Sequence, residues 1–265
     1  MAQIKTTYDG SLGAGGFALD SLADPKSAYR HFDDFTLNLV PHVLANAADG
    51  GDTQTLDAYT IVQLSGNSTY PGASTAGGHA GGTMRFTTHT GADDGMIMYP
   101  TGLKTEAPNS YDVAYEVRVA MVDVTNSNFF FGLSEAVATG DIISGGAIVA
   151  AGNGKDRIGW FSDDSTDADK AQVWNSFGAL GGEVATMFGP GLANARISDA
   201  TMVRFGITVT GGTIRFFFDG ELKHTVENSS QVSDQKLVPV LHMTTANSAA
   251  EIFDVDYIDV NGVRS

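Results

Sequence analysis

An all-β fold of two packed antiparallel sheets, entered by an extended N-terminal arm, is the architecture this sequence predicts. Three observations lead there. Short segments alternate apolar and polar residues at period two, the pattern of a strand with one buried face. The chain holds 32 glycines, many of them clustered between those segments, where tight turns need positive φ. No stretch sustains a helical period over about ten residues, and no segment repeats at a fixed interval.

The elements follow in chain order. Residues 1–30, with the run Asp9-Gly10-Ser11-Leu12-Gly13-Ala14-Gly15-Gly16, keep neither period. They read as an arm, which either stays disordered or orders against a neighbouring subunit. Residues 31–265 form the folded body, one domain of a length that β-sandwiches reach. It opens with an alternating segment over 31–40, and residues 58–64 give a second strand. Residues 70–82 are turn chemistry (Pro71-Gly72, Gly77-Gly78, Gly81-Gly82) and predict a surface loop. Strands follow at 83–88 and 96–98.

Residues 111–124 carry a cleaner signal. Val113, Tyr115, Val117, Val119 and Met121 share one side, while Asp112, Glu116 and Arg118 share the other. Asn128–Leu133 is apolar on both faces and is expected at the centre of a sheet. Residues 147–151 and 157–161 look like a hairpin closed by Gly152-Asn153-Gly154. After a strand at 172–177, the second clean alternation runs through Val203, Phe205, Ile207 and Val209. The pair Gly211-Gly212 then turns into 213–219, Asp219-Gly220 turns again, and 221–226 returns. The last strands are 238–244 and 252–260.

Composition narrows the function classes. Thirty-one acidic residues against 15 basic give a net charge of −16, which opposes nucleic acid and anionic lipid because phosphate recognition relies on Lys and Arg. Such a surface suits solubility, divalent cations or a basic partner. No apolar run approaches the roughly 20 residues that span a bilayer. The chain has no cysteine, so disulfides, thiolate metal sites and a cysteine nucleophile are excluded, and stability is left to the core, sheet pairing or assembly. The start, residues 1–7, is not followed by the apolar stretch of a secretory signal.

The segment from Met202 to Val226, MVRFGITVTGGTIRFFFDGELKHTV, with its Gly-Gly and Asp-Gly turns, resembles the concanavalin-A-like lectin/glucanase family. The final strand, Phe253-Asp254-Val255-Asp256-Tyr257-Ile258-Asp259-Val260, resembles that family's last strand, which pairs near the first. The resemblance implies a jelly-roll sandwich and says little about function, because such folds host lectins, glycosidases, adhesion modules and virion proteins alike. In overall character, cysteine-free, acidic and with a Gly/Ala-rich arm, the chain also resembles head decoration or cement proteins of tailed bacteriophages.

Candidate sites are few. A glucanase of this fold would need carboxylates facing each other across a groove, in a Glu-x-Asp-x-x-Glu strand, and that strand is missing. The nearest approach is Asp254, Asp256 and Asp259. Alternation sends Asp254 and Asp256 to the solvent face and Phe253, Val255 and Tyr257 inward. No catalytic residues are therefore assigned, and no cofactor other than calcium is considered. His31, His42, His79, His89, His224 and His242 have no zinc-binding spacing. Gly13-Ala14-Gly15-Gly16 lacks a following Lys-Ser/Thr, and no Gly-x-Ser-x-Gly elbow occurs.

Asp163, Asp164, Asp167 and Asp169 could supply oxygen ligands for Ca²⁺, although the loop lacks the glycine and terminal glutamate of an EF-hand; a solvated acidic loop is the alternative. Trp160, Trp174, Asn175 and Phe177 are the group that could present aromatic and amide chemistry to a glycan, with core packing of both tryptophans as the alternative. The expected function is structural. The chain reads as a capsid decoration or cement protein, assembled in the host cytoplasm into a virion, homo-oligomeric, with capsid protein or other virion subunits as partners. A carbohydrate-binding module is the alternative.

Overall fold

The computed structural model describes residues 28–33, 53–56, 59–64, 73–75, 83–88, 90–91, 94–138, 142–144, 147–148, 155–162, 171–176, 183–185, 197–227, 232–246 and 249–263. The strands begin with β1 (Ala28–Asp33), β2 (Thr53–Leu56), β3 (Tyr59–Gln63), β4 (Ala73–Thr75), β5 (Met84–Thr87) and β6 (Gly95–Pro100). Next come β7 (Val113–Met121), β8 (Ser127–Ser134), β9 (Ile143–Ser144), β10 (Ala147–Ile148), β11 (Arg157–Ser162) and β12 (Gln172–Ser176). The chain continues through β13 (Glu183–Ala185), β14 (Val203–Thr210), β15 (Thr213–Phe218), β16 (Glu221–Val226), β17 (Val238–Thr245) and β18 (Ile252–Val263).

Two 8-stranded antiparallel sheets result. The first is ordered β16-β15-β14-β7-β18-β5-β4, with β1 also on β18, and the second β13-β12-β11-β8-β17-β6-β3-β2. Strand β18 is long enough to serve both β5, through Ile252–Val255, and β1, through Ile258–Val263, along one edge while β7 takes the other. The last strand thus pairs with the first, as expected. That first strand begins at Ala28, inside the stretch read as the arm; residues 1–27 lie outside the described residues.

The inward faces are those the alternation predicts. Val113, Tyr115, Val117, Val119 and Met121 of β7 and Val203, Phe205, Ile207 and Val209 of β14 meet Phe129, Phe131, Ile158, Trp160, Leu241 and Met243 of the other sheet. At the centre Phe129 and Phe131 stack with ring centroids 4.6 Å apart, and Phe205 lies against both and against Trp160. Burying each large apolar side chain contributes about 1.5–3 kcal/mol relative to exposure. Two side chains tie the layers by hydrogen bonds. Trp160 Nε1 donates to the Gly206 carbonyl at 3.0 Å, and Tyr115 donates to the Val240 carbonyl at 3.2 Å.

Turn chemistry is also as read. Gly211 and Gly212 sit at φ 56° and 78°, and Asp219 and Gly220 at 50° and 80°, so both two-residue hairpins have the doubly positive φ that matches strand twist.

Residues 70–82, expected as a surface loop, hold strand β4, which pairs with β5. Two further expectations are corrected. Ala147–Ile148 pairs with Ile143–Ser144, not with Arg157–Ser162, whose edges are taken by β8 and β12. Every residue of β11 is buried, and a strand covered on both faces belongs inside a sheet, a constraint that outweighs the Asn-Gly turn signal. The other correction lies in β18. Its register against β7 shifts between Val255 and Tyr257, so the inward set runs Phe253, Val255, Ile258, Val260. Tyr257 is therefore not an inward residue, because the extra residue at the bulge reverses the alternation beyond it.

Candidate functional site

The outer faces of the two sheets differ in chemistry, and that of the second sheet is covered. In the second sheet, Val62, Ile97, Phe130, Phe161 and Val240 form an apolar layer that packs with Ile142 and Ile143 of the segment following β8. Among its strands, β3, β6, β8, β11, β12 and β17 carry no Asp or Glu. Close packing explains a local sequence choice here. A Cβ at Gly159 would fall 2.4 Å from the Phe130 ring, so this position of β11 tolerates only glycine without repacking.

His242 sits in the middle of this layer, opposite Ile97 on one side and Phe130 on the other. It is fully buried, and neither ring nitrogen has a hydrogen-bond partner. Burial, with the nearby Arg157 charge adding to it, pushes its pKa down to about 3, so the ring is neutral and works as a packing element. A histidine inside an apolar layer was not picked out by sequence spacing; its period-two position with Val240 was the available signal.

Of the residues proposed for glycan contact, Trp160 is 0% exposed and packs against Phe205, Phe216 and Phe218. It is a core residue and presents no platform to a ligand. Asn175 lies opposite Ile158 in β12 and is buried too. Trp174 lies opposite Gly159. Phe177, like Asp163, Asp164, Asp167 and Asp169, falls outside the described residues.

The first sheet presents polar and charged groups instead. Asp254 points outward as expected, yet it is only 3% exposed because Arg85 covers it with two hydrogen bonds of 2.7 Å. Asp256, the bulge residue, pairs with Arg118 at 2.7 Å on a more open surface. Beyond the bulge Tyr257 faces outward, donates a hydrogen bond to Glu116, and brings its ring within 5.9 Å of Phe32 from β1.

Register sets the rest. Glu116 stands directly opposite Asp259, and Asp259 opposite Phe32. Asn261 donates to Asp259 at 2.8 Å. Burial raises the pKa of Glu116 and the Asp259 charge adds to it, while the Tyr257 hydrogen bond and Arg204 oppose the shift. Phe32 remains 45% exposed. Around the bulge, three carboxylates, a phenol, a guanidinium and an open aromatic ring share one face.

No protein-family model and no curated protein matches the sequence. Among solved structures, a protein of unknown function from Shewanella oneidensis MR-1 is similar at 13% identity and TM-score 0.54, covering 90% of this chain and 88% of that one. LamA from Z. galactanivorans, in complex with laminaritriose and laminaritetraose, is similar at 10% identity and TM-score 0.54, covering 89% and 98%. The kappa-carrageenase from Pseudoalteromonas carrageenovora, bound to an oligotetrasaccharide, is similar at 11% identity and TM-score 0.51, covering 93% and 100%. At such identities the likeness is one of architecture, and the architecture of this chain is the concanavalin-A-like jelly roll.

Proposed function

We propose that this chain is a non-catalytic jelly-roll module that acts by binding and assembly. The observation that carries this is that strands β8, β11 and β17 of the second sheet hold no Asp or Glu, while their outer apolar layer is itself buried under Ile142 and Ile143. Hydrolysis by a carboxylate pair has nothing to use on those strands. The finer reading is a virion subunit that decorates or cements a tailed-phage capsid as a homo-oligomer. It is supported by the acidic, cysteine-free composition and the Gly/Ala-rich residues 1–27 that precede β1. In this reading those residues reach a neighbouring subunit, and calcium would bind at Asp163, Asp164, Asp167 and Asp169.

Light scattering on the full chain and on a chain lacking residues 1–27, each with and without a calcium chelator, tests it. A stable oligomer that needs the N-terminal residues supports assembly, and a monomer indifferent to them sinks it. Turnover of laminarin by the purified protein would overturn the non-catalytic reading itself.

A glycan-binding module is the second reading. It is favoured by the exposed Phe32 beside Tyr257 and by the fold shared with LamA, whose structure holds laminari-oligosaccharides. Binding on a glycan array tests it, and an array without a hit above background rejects it.

A further inference from the structure

Directly paired like charges weaken an antiparallel sheet, and a bulge interrupts its ladder. Strand β18 carries both features side by side. Glu116 of β7 faces Asp259 of β18 in register, and the bulge falls at Asp256, so that Tyr257 turns outward beside them. The bulge serves the core, because only its extra residue lets Phe253 and Val255 before it and Ile258 and Val260 after it all face inward; the core does not need the outward pairing of Glu116 with Asp259. Where local choices conflict with stability, a functional role is the first explanation to test.

What the conflict assembles is specific. Phe32 offers a ring that is 45% exposed, set at 36° to the Tyr257 ring. Around it stand hydrogen-bonding groups fixed by neighbours: the Arg118–Asp256 pair, with side chains 44% and 22% exposed, and Glu116 and Asp259, held by Tyr257 and Asn261. An apolar ring face beside carboxylates and a guanidinium matches a pyranose, whose C–H face stacks on an aromatic while its hydroxyls donate to carboxylates and accept from arginine. Three carboxylates, and the chain's net charge of −16, disfavour sulfated or uronic sugars.

We propose that the outer face of β1, β18 and β7, centred on Phe32 and Tyr257 and bordered by Arg118, Asp256, Glu116 and Asp259, binds a neutral sugar ring. This rests on the glycan-binding reading and places its site on the first sheet, away from Trp160 and Asn175.

The test is calorimetric titration of the full chain with laminaritriose and with a kappa-carrageenan oligosaccharide, backed by an array of neutral glycans. Wild type, Phe32→Ala, Arg118→Gln and, as a control on the same sheet, Leu222→Ala are compared. Leu222 is 47% exposed and outside the patch. Thermal unfolding shows that each variant folds. Binding of a neutral glycan that weakens about tenfold in Phe32→Ala and in Arg118→Gln but not in Leu222→Ala supports the site. Neutral-glycan binding unchanged in Phe32→Ala overturns the site and leaves the glycan reading standing. No neutral glycan bound by wild type, or only the sulfated one, overturns the site; a complete lack of glycan binding overturns the reading with it.

Discussion

Glu116 and Asp259 stand directly opposite each other on the outer face of the first sheet, one on β7 and one on β18. The pairing works against the fold. Burial raises the Glu116 pKa first, and the Asp259 charge raises it further. A carboxyl whose folded-state pKa is raised gives full stability below its unfolded value and loses it as pH rises through the folded one. Glu116→Gln is therefore expected to gain about 0.5 kcal/mol over wild type at pH 8 and nothing at pH 4, by urea unfolding. A loss at pH 8 would mean that the charged form is the favoured one.

His242 gives the opposite limb. Its pKa is pushed down to about 3 by burial and by Arg157, so the unfolded chain binds a proton between about pH 6.5 and 3 that the folded chain does not. Wild-type stability then falls as pH drops through that window. His242→Leu should flatten this acid limb and, by removing two unsatisfied buried nitrogens, raise the midpoint of thermal unfolding at pH 7. An unchanged acid limb in the variant would refute the assignment.

Glu251 is 3% exposed, and its pKa is raised to about 7 by burial and by the charges of Asp123 and Asp199. The sign is that of a raised acid, with stability complete below about pH 4.5 and declining as pH climbs through about 7. Denaturant unfolding at pH 5 and pH 8 should show this decline in wild type and much less of it in Glu251→Gln. Equal slopes in the two proteins would count against it.

The two hydrogen bonds between the layers run in opposite directions, from Trp160 to Gly206 and from Tyr115 to Val240. Tyr115→Phe leaves the ring in the core and a buried carbonyl without that donor, which should cost about 1–3 kcal/mol in chemical denaturation. Trp160→Phe adds a volume loss and should cost more. A neutral Tyr115→Phe would show that the Tyr115 hydrogen bond adds nothing to the packing of its ring.

Much of the fold was legible because it rests on local rules. The alternation through Val113 to Met121 and through Val203 to Val209 named the core faces, and Gly211-Gly212 and Asp219-Gly220 named their own hairpins. The site was less legible. Alternation singles out Asp254, Asp256 and Asp259 but turns Tyr257 inward, and of the two roles open to Trp160, glycan contact and core packing, the structure has the second. Phe32 stood in the first strand as one more apolar residue, with nothing nearby in sequence to mark it as exposed.

By itself the sequence determined that this protein is an all-β sandwich, where its cleanest strands and turns lie, and which side chains those strands turn inward, because period and turn chemistry are properties of neighbouring residues. Tertiary structure alone decided which strands became neighbours, where β18 takes its extra residue, and hence that Phe32, Tyr257, Glu116 and Asp259 share one surface. Register and bulges depend on the partner strand, and in this chain those partners lie more than a hundred residues apart, beyond the reach of any local pattern.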